Sequence, residues 1–225
     1  MIEKMQREQA RSDRRRTILI VVAAIVVSLA IIAYPAIKLF QNSRTKNLAV
    51  ADIGVAASAA SCDTPTNDDG GGTQDHRPEG EKITYPVSPP SSAPHYPVWA
   101  PFDKKFYTVD DRPAVENLVH NLEHGYTILW YRDTLPKDQI DTIEKLSKSK
   151  LPDSSNGKFI AAPYKQSEGK GWPDGKNLAF AHWSAPDASN KSFGHRQFCG
   201  SVSGEALKTF IEKYPAADSQ EPNGG

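Results

Sequence analysis

The sequence predicts an α+β protein: a small mixed or antiparallel sheet with about three helices, preceded by one N-terminal transmembrane helix. An uncharged run of 21 residues, Thr17 to Ile37, holds 18 apolar residues. Of the 20 aromatic residues, 18 lie between Ile83 and Tyr214, which marks the packed domain. Inside that window, helical and strand patterns alternate along the chain.

As a helix, Thr17 to Ile37 (TILIVVAAIVVSLAIIAYPAI) is about 31 Å long, roughly the thickness of a bilayer core. Arg11, Arg14, Arg15 and Arg16 precede it, and only Lys38 and Arg44 follow closely. The positive-inside rule therefore predicts a cytoplasmic basic segment over residues 1–16 and an extracytoplasmic remainder. A cleavable signal peptide would have an apolar region of about 7–15 residues with small residues just behind it. This run is longer, and Tyr34-Pro35-Ala36-Ile37-Lys38 is a poor cleavage site. The expected partner of residues 17–37 is thus the lipid bilayer of the plasma membrane, crossed once.

Residues 38–81 read as a flexible linker, because the composition falls to Ala, Ser, Gly, Asp and Thr and includes Asp68-Asp69-Gly70-Gly71-Gly72. The domain proper is expected over 82–214. It opens with Pro86, Pro89, Pro90, Pro94, Pro97 and Pro101, a density that forbids helix. The expectation there is an extended segment laid across the domain, with Ile83 to Val87 as a short edge strand. Pro113 to His124 has one apolar stripe, Val115, Leu118, Val119 and Leu122, with Gly125 as a stop. Tyr126 to Tyr131 follows as a buried strand of aromatic and β-branched residues. Pro136 to Lys150 is a second amphipathic helix on Ile140, Ile143 and Leu146. Phe159 to Ala162 and Asn177 to Trp183 are candidate strands. Ser203 can cap a last helix to Tyr214, with Val202 and Leu207 as a hydrophobic staple. Residues 215–225 (PAADSQEPNGG) read as a disordered tail.

Lys and Arg total 27, as do Asp and Glu, so the net charge is zero. That argues against a nucleic-acid partner, which demands a basic excess. Two cysteines exclude a disulfide-dense scaffold and a four-Cys zinc site. Outside the cytoplasm, Cys62 and Cys199 are expected to pair. In the chain-entropy model so long a loop stabilises by about 5 kcal/mol, less any strain. The alternative makes Cys199 a nucleophile with His195 four residues before it.

The most structured polar pattern is Glu116-x3-His120-x3-His124, which spreads over one helix face beside the apolar stripe. Two imidazoles at i and i+4 can share a metal ion. A zinc protease would carry Glu directly after the first His, whereas Glu123 here sits beside the second. His95 lies in a rigid Pro94-His95-Tyr96-Pro97 turn that can hold a third ligand. The structural alternative pairs Glu116 with His120 on the helix surface and leaves His124 to the helix dipole.

At these motifs the chain resembles a bacterial family catalogued as domain of unknown function 3105. The carriers are Tyr85 to Pro97 (YPVSPPSSAPHYP) and, about 25 residues on, His120-Asn121-Leu122-Glu123-His124-Gly125. The Arg-rich start, the single anchor and Gly194-His195-Arg196-Gln197-Phe198-Cys199-Gly200 resemble its actinobacterial members. The resemblance implies that His95, His120, Glu123 and His124 belong to the family signature and that His182 is peculiar to this branch. It implies no activity. Where the family pattern has Ser-Gly-Pro-His, this chain has Ser92-Ala93-Pro94-His95.

The leading expectation is a membrane-anchored extracytoplasmic protein that binds copper or zinc through His95, His120 and His124, with Glu116 or Glu123 as ligand or orienting group. The absence of Met-rich or Cys-rich ligands argues against a dedicated Cu(I) carrier. The alternative is a non-enzymatic accessory subunit of a cell-envelope complex with structural histidines, using Tyr96, Trp99 and Phe102 as a partner surface. A hydrolase is disfavoured: there is no Gly-x-Ser-x-Gly elbow, no phosphate loop and no zinc-protease motif.

Overall fold

The computed structural model describes residues 2–46, 48–71, 75–185 and 191–224, with side chains from Arg14 to Leu39 and from Leu48 onward. Met1, Gly72 and Gly225, which fall in the basic segment, the Gly-rich stretch and the tail, lie outside the described residues. The chain divides into two units, Met1–Thr45 and Lys46–Gly225.

The first unit is one helix, α1 (Ile2–Lys46). Its stretch Arg14–Leu39, 26 residues, is long and apolar enough to cross a membrane. The helix continues beyond the apolar span on both sides and contains Pro35 without ending there.

The second unit is built on a five-stranded sheet of order β1-β5-β4-β2-β3. The strands are β1 (Thr66–Asp69), β2 (Thr127–Arg132), β3 (Phe159–Tyr164), β4 (Leu178–Ser184) and β5 (Phe193–Cys199). β2 and β3 are parallel, joined through α3 (Lys137–Ser147), and every other pair is antiparallel. The sheet is therefore mixed, as expected. Strand alternation divides two cores. Leu129, Tyr131, Leu178, Phe180 and Cys199 face α3 and α4 (Gly204–Lys213), meeting Ile143, Leu146, Leu207, Phe210 and Ile211. Ile128, Trp130, Ala179, Ala181 and Trp183 face the other way onto Leu118, Val119 and Leu122 of α2 (Val115–Glu123). Each of these α2 residues is fully buried and contributes about 1.5–3 kcal/mol. Ser203 caps α4 by accepting from the Ala206 N–H at 3.2 Å.

Three expectations are corrected. Residues 48–71 of the linker are packed: Val50, Ile53 and Ala60 are buried, and β1 pairs with β5. Small residues carry this close approach rather than flexibility. At Gly54 (φ +85°) a Cβ would meet the Val202 carbonyl oxygen at 2.2 Å. The described tail is not disordered either, since Ala216 and Ser219 are buried and the Glu221 N–H donates to the Glu123 carbonyl at 3.1 Å. Ile83 to Val87 forms no strand. The outer edge of β3 is instead covered by backbone: the Tyr107 N–H donates to the Ala161 carbonyl and the Ala161 N–H to the Lys105 carbonyl, both at 2.9 Å.

Cys62 and Cys199 are joined as a disulfide across 137 positions of sequence. This tie leaves Cys199 no free thiol, so the nucleophile alternative falls. His195, four residues earlier, serves other partners: its Nε2 lies 2.6 Å from Ser184 Oγ and its Nδ1 2.7 Å from Asn67 Oδ1.

Candidate metal centre

The apolar stripe of α2 faces the sheet, which turns His120, Asn121 and Glu123 toward the proline-rich segment. Gly125 ends the helix at φ +86°, where a Cβ would strike the Ala216 carbonyl oxygen at 2.4 Å. Asn121 is fully buried. Its Oδ1 accepts from the Ala100 N–H at 2.8 Å, and its Nδ2 donates to the Ala100 carbonyl at 2.9 Å. Beside it, His120 Nδ1 donates to the Tyr96 carbonyl at 2.7 Å. These contacts clamp the segment along the helix and carry His95 to the site. His95 Nδ1 donates to the Ala93 carbonyl at 3.0 Å. A third strand of chain joins from the N-terminal side: the His95 N–H donates to the Asp75 carbonyl at 3.1 Å and the Arg77 N–H to the His95 carbonyl at 2.8 Å. This bridge sets His76 beside His95.

The result is a compact group of four donors, His76, His95, His120 and Glu123, whose ligand atoms all lie within 4.8 Å of one another. The three ring centroids are 4.8–5.0 Å apart. Glu123 Oε2 stands 3.0 Å from His95 Nε2 and 3.6 Å from His76 Nε2. His95 and Glu123 are completely buried, His120 nearly so, and the His76 side chain is 41 % exposed. With its amide oriented to accept from Trp183 Nε1 at 2.8 Å, Gln220 donates to Glu123 Oε1 at 3.3 Å. Burial pushes the His120 imidazole down to about 4, against the opposing pull of the Tyr96 carbonyl, with His95 and His124 lowering it further. A neutral ring whose Nδ1–H is already committed offers Nε2 as a free lone pair. A tetrahedral ion with bonds near 2.1 Å would set its donors about 3.4 Å apart, so the group closes on a metal by shifts of about an ångström.

The structure thus brings together His95, His120 and Glu123 from the expected set and adds His76. Glu116 lies outside the group, half-buried, and its charge acts on Tyr85 and Tyr164. His124 is a neighbour rather than a member: its ring stacks on His120 at 4.7 Å. Trp99 presents its indole 5.2 Å from both of these rings. His182 belongs to the opposite face of the sheet, with Nε2 2.8 Å from Asp218 Oδ1. His76 was missed because no periodic pattern surrounds it; it joins through one bridge between two irregular segments.

This is an α+β domain in which a helix, a proline-rich segment and an N-terminal extension converge on a buried group of histidines and a carboxylate. The chain belongs to a protein family of unknown function, DUF3105, whose family model matches residues 76–225. That match begins at His76 and includes all four donors. No curated protein and no solved structure matches the chain.

Proposed function

We propose that this protein is a membrane-anchored, extracytoplasmic metal-binding protein that holds a copper or zinc ion through His76, His95, His120 and Glu123. The observation that carries the reading is the convergence of four donor atoms within 4.8 Å, three of their residues buried. Structural histidines would stand well apart, whereas these rings, with His95 and His120 each also holding a backbone carbonyl, have centroids within 5.0 Å of one another. Here three rings crowd one carboxylate. Imidazole and carboxylate donors suit borderline divalent ions, zinc and copper(II) among them. Four protein donors fill a tetrahedral shell, which favours holding or delivering the ion over activating a bound water. The apolar stretch of α1 supports the anchor, and the arginines before it support an extracytoplasmic domain.

The test is titration of the full-length protein in detergent with Zn²⁺ and Cu²⁺ by calorimetry. Stoichiometric binding is expected, weakened about tenfold or more in His95→Ala and His120→Ala and unchanged in His182→Ala. If the wild type binds neither ion, the reading fails. The envelope-partner reading then takes its place, favoured by exposed Trp99 and Phe102 together with Val98, while Tyr96 of the expected surface is buried.

A further inference from the structure

Beside the four-donor group lies a fifth imidazole with no evident duty. The His124 ring is 4 % exposed and stacks on His120. Among the described residues the polar partner of its nitrogens is Glu221, through a long contact that falls short of a regular side-chain hydrogen bond. Burial strips such a ring of two hydrogen bonds to water, and folded proteins seldom leave that loss uncompensated. The carboxylate facing it is Glu221, with Oε2 3.5 Å from His124 Nδ1 and a side chain 36 % exposed.

The C-terminal segment is held over this ring by specific contacts. Lys158 Nζ donates to the His124 carbonyl at 2.8 Å, to the Pro222 carbonyl at 3.0 Å, and also to that of Gly224. Gly224 lies so close that a Cβ there would come within 2.1 Å of His124 Nδ1. Glu221 reaches the surface, whereas His124 and His120 behind it are both buried.

We propose that His124 and Glu221 form an outer cation position through which a divalent metal ion enters and leaves the His76, His95, His120 and Glu123 site. The proposal rests on the metal-binding reading and deepens it from holding an ion to exchanging one. An imidazole nitrogen and a carboxylate oxygen replace part of the ion's water shell at the rim. His120 and Glu123 then replace the remainder, so no step requires a bare ion in a buried site. His76 also reaches water, but it is one of the four donors, so an ion arriving there is already in the site.

The experiment is stopped-flow mixing of the full-length protein in detergent with Cu²⁺, read by quenching of tryptophan fluorescence, since Trp99 and Trp183 lie near enough to report, followed by release into excess EDTA. Glu221→Gln and His124→Ala should each slow both loading and release about tenfold, while the equilibrium dissociation constant shifts by less than about threefold. Glu221→Gln keeps the side chain's shape, so the proposal does not depend on how His124→Ala folds. Loading and release at wild-type rates in both variants overturn the outer position and leave the four-donor site standing. A roughly tenfold loss of affinity in His124→Ala, with Glu221→Gln unchanged, makes His124 a ligand of the inner site and also overturns it. Failure of the wild type to bind Cu²⁺ at all would instead remove the reading on which the proposal rests.

Discussion

Asn121 holds Ala100 by both backbone atoms, its Oδ1 taking the N–H at 2.8 Å and its Nδ2 meeting the carbonyl at 2.9 Å. This pairing fixes the proline-rich segment against α2 one residue away from His120. Asn121→Ala leaves a buried N–H and a buried carbonyl without partners. It should cost about 2–3 kcal/mol in chemical denaturation and weaken metal binding about tenfold. Wild-type affinity in this variant would mean that His95 is positioned by something other than the clamp.

Ala93 sits at φ +102°, a region that disfavours any residue with a Cβ. Ala93→Gly should relieve the strain and, after allowing for the greater freedom of glycine in the unfolded chain, stabilise the protein by about 0.5–1 kcal/mol. Thermal unfolding measures it. A lowered midpoint would show that the methyl group packs more favourably than the backbone conformation costs.

Both ring nitrogens of His95 face oxygens, the Ala93 carbonyl and Glu123 Oε2, each at 3.0 Å. A proton therefore lies between Nε2 and the carboxylate, and an ion on Nε2 must displace it. Metal binding should therefore release about one proton. Calorimetry in buffers of differing ionisation enthalpy counts that proton. Binding with no proton release would place the ion elsewhere.

Burial pushes His195 down to about 4, as it does His120. In the unfolded chain both take up protons near pH 6.5, so between there and about 4 the unfolded state binds more protons than the folded one. Stability of the metal-free protein should accordingly be full above about pH 6.5 and fall as the pH drops toward 4. Urea denaturation at a series of pH values gives the slope. A flat profile across that window would contradict the burial of neutral rings.

The disulfide closes a loop of 137 residues of sequence separation. Replacing both Cys62 and Cys199 by serine should lower stability by up to about 5 kcal/mol. Amide exchange should show β1 opening first, because it is a four-residue edge strand whose nearest covalent tie is Cys62. Equal protection of β1 in both proteins would show that its pairing with β5 is sufficient.

The three helices of the domain and the strands β2, β3 and β4 were legible because each has an apolar period or a run of aromatic and β-branched residues. β1 was not: Thr66-Asn67-Asp68-Asp69 is polar throughout and becomes a strand only because β5 lies beside it. β5 was hidden for a related reason, since Gly194, His195, Arg196 and Gln197 interrupt any apolar alternation. The helical half of the site could be read from the spacing of His120 with Glu123 nearby, and His95 from its proline-locked turn. Spacing could not choose among Glu116, Glu123 and His124, because helical period gives only a face. Where the proline-rich segment crosses that face decides the set. His76 depends on a single bridge formed by the tertiary fold.

The coverings at the two margins of the sheet bear on how this protein behaves among copies of itself. Residues 47–225, which carry the sheet, hold 18 basic and 24 acidic residues, a net charge of −6 that helps keep neighbours apart near neutral pH. Local geometry adds to that repulsion. At one margin β1 is short and carries Asp68 and Asp69. At the other, Lys105 and Tyr107 already occupy the groups of β3 that another strand would seek. Among the described residues neither margin offers a long, bare, apolar ladder to a second chain, so the sheet's borders oppose edge-to-edge pairing where charge alone would act only at a distance.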